Sequence, residues 1–289
     1  MQLEQVKALS PFKRLVYWIT EREAIRIKKA DGRSKPWTDD PILQNYRFCN
    51  VRRMDDKVSK WLYTNWYSKH YSHKNAVVAC VLARHLNRIE ALRVARFPVV
   101  WNPDRMLARL VAYREGGGKC FNAAYIIAPR VGFSKDKLHG VILETVQQFV
   151  DKPPDLNTDR MQDCVECLQE YAGIGSFMAG QIVADLRWSV DGGWRDRKIW
   201  APMGPGSQRG MNRLRNRSVE TPIKPDQFAT ELGSMMLEIK PRLKQLGLKV
   251  TGRLEAIDYQ SCLCEYDKYI RCLFEEGRPK QRYDGKEKS

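Results

Sequence analysis

Leu168-Gln169-Glu170-Tyr171-Ala172-Gly173-Ile174-Gly175-Ser176-Phe177-Met178-Ala179 reads as a helix, a tight Gly-Ile-Gly turn and a second helix. The pattern is that of a helix-hairpin-helix. Two glycines let backbone N–H groups point into a concave nest beside the positive end of the second helix, and that pair of features holds a phosphate without reading sequence. Gly173, Ile174, Gly175 and Ser176 are therefore candidate DNA contacts, with Ile174 turned inward and Met178 and Ile182 continuing its apolar stripe. An ordinary αα-hairpin with a glycine turn fits the same residues, so the rest of the chain must decide.

The basic balance favours nucleic acid, with a solubilising surface as the plainer use of the same charge. Fifty Lys and Arg face 34 Asp and Glu, a formal net charge of +16 that attracts polyanions. The chain's 289 residues suffice for one large domain or two packed lobes with a sizeable core, without disulfide or metal staples. Met1 to Lys13 is polar, and no stretch approaches the ~20 apolar residues that span a bilayer, so a cytoplasmic protein with no membrane partner is expected. The eight cysteines are then expected to be reduced. Cys164 and Cys167 lie three apart on one helix face, and Cys262, Cys264 and Cys272 offer three thiols in no cluster arrangement. His70, His73, His85 and His139 show no ligand spacing, and no metal site is expected.

Helical periodicity covers most of the chain. A first helix is expected from Gln2 to Lys29, stopped at Ala30-Asp31-Gly32, followed by a Pro-bounded loop and a helical rhythm through Ile42, Leu43, Tyr46 and Val51. Further helices are expected over Lys57–Tyr67, Asn75–Arg93, Pro103–Tyr113, Lys135–Val150, Thr158 onward, Pro225–Leu246 and Ile257–Phe274. Tyr125-Ile126-Ile127 suits a short strand or a buried helical segment, and Trp188–Asn216 reads as loop. The fold class is all-α or nearly so. It is read as a single glycosylase-like helical domain over 1–289, with approximate lobes 1–157 and 158–279 and a polar tail at 280–289.

Three further features bear on chemistry. Glu115-Gly116-Gly117-Gly118-Lys119-Cys120 fails as a phosphate-binding loop, because Cys120 stands where a magnesium-binding Ser or Thr is needed and the first glycine is misplaced. Gly204-Pro205-Gly206 forms a fixed turn with exposed amides, and Arg209 adds a permanent charge suited to phosphate or pyrophosphate. Asp185, Glu265 and Asp267 are the candidate bases. Trp37, Trp188, Trp194 and Trp200 suit stacking on a flipped base, although packing is the commoner use of such residues.

Phe48-Cys49-Asn50-Val51-Arg52-Arg53, the Pro36-Trp37-Thr38 loop before it, the run Phe177 to Leu186, the Gly204-Pro205-Gly206 loop and Leu263-Cys264-Glu265-Tyr266-Asp267-Lys268-Tyr269 together resemble one family. It is the glycosylase-like family of bacteriophage thymine hypermodification, the α-glutamyl/putrescinyl thymine pyrophosphorylases or amino acid:DNA transferases. Its helical module is similar to the one attached to phage hydroxymethyluracil DNA kinases. The resemblance runs from about Glu21 to Arg271.

What it implies is a transferase acting on double-stranded DNA whose 5-hydroxymethyluracil has been pyrophosphorylated, with base flipping. A free amino acid, glycine being the guess, displaces pyrophosphate through its amine, in a host-cell cytoplasm if the protein is phage-encoded. Under this resemblance Arg53, Arg209 and Lys268 neutralise the leaving group, and Asp185 or Glu265 accepts the ammonium proton, with Asp267 in reserve at the substrate. Asn50 and Gln181 read the uracil edge or orient the amine, and Gly204 and Gly206 join the DNA contacts. No cofactor is firmly implied, and a divalent metal at the leaving group is left open. True glycosylases of this class carry an Asp about twenty residues after the hairpin. Here Arg197 to Pro205 holds no carboxylate, with Asp191 and Asp196 nearby. The alternatives are a DNA glycosylase or lyase and a non-catalytic DNA-binding partner of a base kinase.

Overall fold

No strand occurs among the described residues, as the 3.6-residue periodicity requires. The computed structural model describes residues 2–122, 134–189 and 193–277. Tyr125-Ile126-Ile127, Asp191 and the 280–289 tail lie outside them. In chain order the helices are α1 Leu3–Lys7, α2 Pro11–Ala30, α3 Pro41–Asn45, α4 Lys57–Leu62, α5 Ala76–Leu86, α6 Ile89–Ala95, α7 Pro103–Glu115, α8 Lys137–His139 and α9 Gln148–Asp151. They continue with α10 Met161–Gln169, α11 Ser176–Leu186, α12 Pro205–Leu214, α13 Pro225–Gln245 and α14 Ala256–Leu273.

Caps and breakers explain where helices depart from the sequence expectation. The N-terminal helix is two, because Ser10 Oγ accepts from Lys13 N at 3.4 Å and Pro11 opens α2 without an N–H to continue α1. Its stop at Gly32 stands, with φ +69° there. The run 75–93 divides at Asn87, which takes a left-handed φ of 45°. After Asn45 the helical rhythm fails, since Tyr46 is extended. The expected loop 188–216 contains α12. Gly204 and Pro205, read as a loop, are the cap and first residue of that helix. The glycines of 116–118 are likewise a helix stop: Gly118 N donates to Tyr113 O at 2.8 Å, and a Cβ on Gly118 would strike the Tyr113 ring.

The chain forms two compact units, Met1–Asp56 with Arg197–Ser289, and Lys57–Asp196. The second is thus inserted into the first in sequence, and the division falls at 56/57 and 196/197 rather than at 157/158. The reason is that α2 packs on helices of the C-terminal third, a pairing that local periodicity does not carry.

In the first unit α14 is the central helix. Tyr259, Leu263, Tyr266, Tyr269 and Ile270 along it are buried, each such side chain contributing ~1.5–3 kcal/mol of apolar burial. Helix α12 crosses it closely: a Cβ on Gly210 would collide with the Leu263 carbonyl, and one on Gly206 with Cys264 Sγ. Asp40 ties the N-terminal helices to α14, accepting from Tyr269 Oη at 2.6 Å and Tyr17 Oη at 3.1 Å while its other oxygen caps α3. In the second unit α5 is the core helix, buried from Ala76 and from Val78 through Leu86, and α11 packs along it.

Candidate functional site

The hairpin belongs to the second unit. Helices α10 and α11 bracket the turn, where Gly173 has φ +94° and Gly175 precedes the first turn of α11. Ile174 is buried, as its inward orientation requires, and its N–H is bonded to Tyr171 O at 3.1 Å. The turn is clamped from behind: Gln148 accepts from Ala172 N and donates to Ala172 O, each at 3.0 Å, and the Tyr171 ring stacks on Phe149 with centroids 4.2 Å apart. A Cβ on Gly175 would meet nothing within 4 Å, so the approach to that glycine is open. The N–H groups of 176–178 precede the first intrahelical bond, Ala179 N to Gly175 O at 2.9 Å. A rigid turn presenting amides at a helix start is what a phosphate contact needs.

Asp185, expected as a base, is fully buried on α11. Its Oδ2 accepts from Arg84 Nε at 2.5 Å and from Tyr67 Oη at 2.6 Å, and its Oδ1 accepts from Arg84 Nη2 at 2.6 Å. A carboxylate enclosed by a bidentate arginine and a phenol holds helices together and has no route to an incoming ammonium. Its charge partner is Arg84 of α5. Gln181, one turn earlier, is also buried and does not face an open surface. Asp196, the described carboxylate nearest the glycosylase position, is consumed as a cap, accepting from Met161 N at 2.7 Å and Gln162 N at 3.1 Å.

The first unit gathers the other candidates on α14 and the segment 48–56. Arg22 of α2 straps that segment down, donating from Nε to Cys49 O at 3.0 Å and from Nη2 to Asn50 Oδ1 at 2.6 Å. Asn50 also donates from Nδ2 to Asp55 O at 2.7 Å, so both ends of its amide serve the loop. Arg53 is buried, its backbone N–H held by Asp258 at 2.8 Å, which removes it from the set of open cations. Glu265 Oε2 accepts from Cys49 N at 3.0 Å and pairs with Lys268 Nζ at 2.5 Å. Lys268 also sits over the Phe48 ring, 4.7 Å from its centroid. Burial lowers the Lys268 pKa, the Glu265 charge raises it, and the net direction is up, so the ammonium keeps its proton. The Glu265 charge pushes the Cys49 thiol above its ordinary value.

Asp56 and Arg22 are functional candidates that the sequence reading missed. Asp56 Oδ1 accepts from Asn50 N at 2.9 Å, and burial pushes its carboxyl up to about 6 against the pull of that bond and of Arg22. Its only sequence signal is an Asp-Asp pair before a helix, which reads as a turn.

Asp267 is buried behind three arginines. It accepts from Arg209 Nε at 3.0 Å and Arg213 Nε at 2.8 Å, with Arg271 Nε at 3.5 Å. It therefore orients these cations. Arg209 keeps 35% of its side chain exposed, so the charge expected of it remains available at the surface. Gly206 faces Cys264 and Gly204 is buried, which gives these glycines a helix-packing role.

Trp194 is buried, and Trp188 packs edge-on against Tyr63 at 6.0 Å. Trp37 donates from Nε1 to Arg33 O at 2.6 Å. Among the described residues no group of three or more His, Cys, Asp or Glu is arranged to hold a metal ion, and all eight cysteines are free thiols. Among these residues no helix is long and apolar enough to cross a membrane.

Comparison with known proteins gives two findings. The family described as "5-hmdU DNA kinase, helical domain" matches residues 10–278. The 5-hmdU DNA kinase of Bacillus phage SP10 is 27% identical over 220 residues, covering 67% of this chain and 34% of the relative's own length. No solved structure matches.

Proposed function

This chain belongs to the family of the 5-hmdU DNA kinase helical domain, and on that premise we propose that it serves phage thymine modification by acting on a 5-hydroxymethyluracil-derived base in duplex DNA. The reaction is transfer. An amino acid's neutral α-amine attacks the exocyclic methylene, the carbon–oxygen bond to pyrophosphate breaks with its electron pair, and the ammonium proton passes to a carboxylate. Asp56 suits that acceptor role, since a carboxyl titrating at about 6 takes a proton near neutrality and gives it up again. Glu265 positions Cys49 and Lys268, and Lys268 with Arg209 supplies positive charge for the departing pyrophosphate. The hairpin of the second unit holds the DNA backbone.

One observation carries the reading. Two motifs more than 200 residues apart in sequence meet through the 3.0 Å bond from Cys49 N to Glu265, and Asp56, Arg22 and Lys268 gather about that contact. The test is pyrophosphate release from pyrophosphorylated duplex. Release that depends on added amino acid is expected, and release of free base would select a glycosylase instead. A second reading, a DNA-holding module without chemistry of its own, is favoured by the match to a region making up 34% of a kinase chain. It predicts duplex binding with neither product.

A further inference from the structure

A depression of about 270 Å³ in the second unit lies apart from the hairpin in sequence and is used by nothing described so far. Its lining runs from Arg96 through Val100 and then Asn102, Arg105, Met106 and Arg109. Three of those residues are arginines and none is a carboxylate. Arg105 and Arg109 are one turn apart on α7, so their side chains share a face, and Asn102 caps that helix by accepting from Arg105 N at 2.9 Å.

The arginines are not consumed by partners in the way those around Asp267 are. Arg109 Nη2 donates to the Ala95 carbonyl at 2.5 Å, but its Nε is buried with no hydrogen-bond partner in the structure. Burial, followed by the charges of Arg96 and Arg105, lowers the Arg109 guanidinium from its ordinary value. Arg96 ends α6 at φ +64°, ψ 155°, a conformation that residues other than glycine rarely adopt. Clustered positive charge beside a strained backbone suits a bound anion.

The lip of the depression is apolar. Val99 is 47% and Val100 82% exposed, while Phe97 behind them is fixed by stacking on His70 at 3.9 Å. Trp101 is held by Gln147 at 2.7 Å, so the exposed valines project from an anchored loop. Guanidinium groups next to protruding aliphatic groups match alternating phosphate and deoxyribose along a nucleic-acid strand. A free phosphate or pyrophosphate would use the arginines but leave the valines without a role.

We propose that the Arg96, Arg105 and Arg109 cleft is a second DNA-backbone site, in which the guanidinium groups hold phosphodiester oxygens and Val99 and Val100 lie against the sugar. It rests on the DNA-binding half of the function proposed above and not on the transfer chemistry. The site is sequence-independent, so unmodified duplex is a sufficient probe.

The experiment is fluorescence anisotropy of a labelled, unmodified duplex titrated at several salt concentrations. Arg105 is exposed, so Arg105→Glu is a surface change whose fold is checked by circular dichroism; Lys244→Glu on exposed Lys244 of α13 makes the same charge change elsewhere. Arg105→Glu should weaken binding about tenfold or more and reduce the slope of log K against log salt by roughly one, as one lost phosphate contact does. Lys244→Glu should change the slope far less. Arg109→Lys, which keeps the charge but loses the fixed fork, should weaken binding with little change in slope. Equal effects of Arg105→Glu and Lys244→Glu would overturn the site, leaving only general charge. Unchanged duplex affinity in Arg105→Glu together with lost binding of inorganic pyrophosphate would overturn it in favour of a free anion. A wild-type protein that binds no duplex would sink the DNA reading itself, and this site with it.

Discussion

Asp185 and Glu265 are both carboxylates on the packed side of a long helix, one in each unit, and they are held in opposite ways. Asp185 is sealed, with Arg84 gripping both oxygens and Tyr67 closing the remaining approach. Glu265 is tied through one oxygen to a backbone N–H and a lysine that stays partly exposed. The identity of an acidic residue says nothing of its task until the number of donors on each oxygen is known. The sealed carboxylate stabilises a core. The one-sided carboxylate positions groups at an open surface.

The largest effect is expected where the sealed pair is broken. Arg84→Ala leaves a buried charge without its partner and should cost about 3–5 kcal/mol, read as a lower urea midpoint at an unchanged slope. Asp185→Asn should likewise lose stability, and a stable, fully folded Asp185→Asn protein impaired only in transfer would restore Asp185 as a base. Glu265→Gln sharpens the contrast from the other side: stability should fall less than in Arg84→Ala, while transfer drops roughly a hundredfold with duplex affinity retained.

A smaller effect belongs to Asp56. As a carboxyl titrating at about 6, it must be ionised to accept the ammonium proton, so transfer by the wild type should rise with pH through about 6. Asp56→Asn should lower turnover about tenfold near neutrality and remove that acid limb. A wild-type profile flat across this range would remove Asp56 from the mechanism.

A further effect is expected on the pH dependence of stability. His85 of α5 is buried, its Nδ1 lies 2.7 Å from Val81 O, and burial pushes its pKa down to about 4. In the unfolded chain it titrates near 6.5. Between these values the unfolded state binds a proton that the folded state refuses, so stability is lost as pH falls through the window, by at most ~1.4 kcal/mol per pH unit. Asp56 acts oppositely, because its folded pKa is raised: its contribution is present below ~4 and is lost as pH rises through about 6. The His85 slope should therefore be steepest in an Asp56→Asn background and absent when His85→Asn is added. Urea titrations between pH 4 and 7 read both.

Local signals carried the fold far. Periodicity and caps placed the long helices, and Gly173-Ile174-Gly175 was legible as a turn between two of them. Pairing across sequence was not legible. Nothing near Asp185 marks Arg84, 101 residues earlier, as its partner, and nothing near Cys49 marks Glu265, 216 residues later. At Gly206 glycine serves a close helix crossing as well as a turn, and only the position of Cys264 shows it. Asp56 was invisible for a related reason: its raised pKa comes from burial, and burial is a tertiary property.

The most direct measurement is mass spectrometry of nucleosides from pyrophosphorylated duplex incubated with mixed amino acids and either the wild-type protein or Glu265→Gln. The expected result is an amino-acid adduct at the thymine methylene with the wild type and almost none with Glu265→Gln, although both bind duplex alike. An unmodified nucleoside profile with a wild-type protein that binds the duplex tightly would contradict transfer and leave a DNA-holding module.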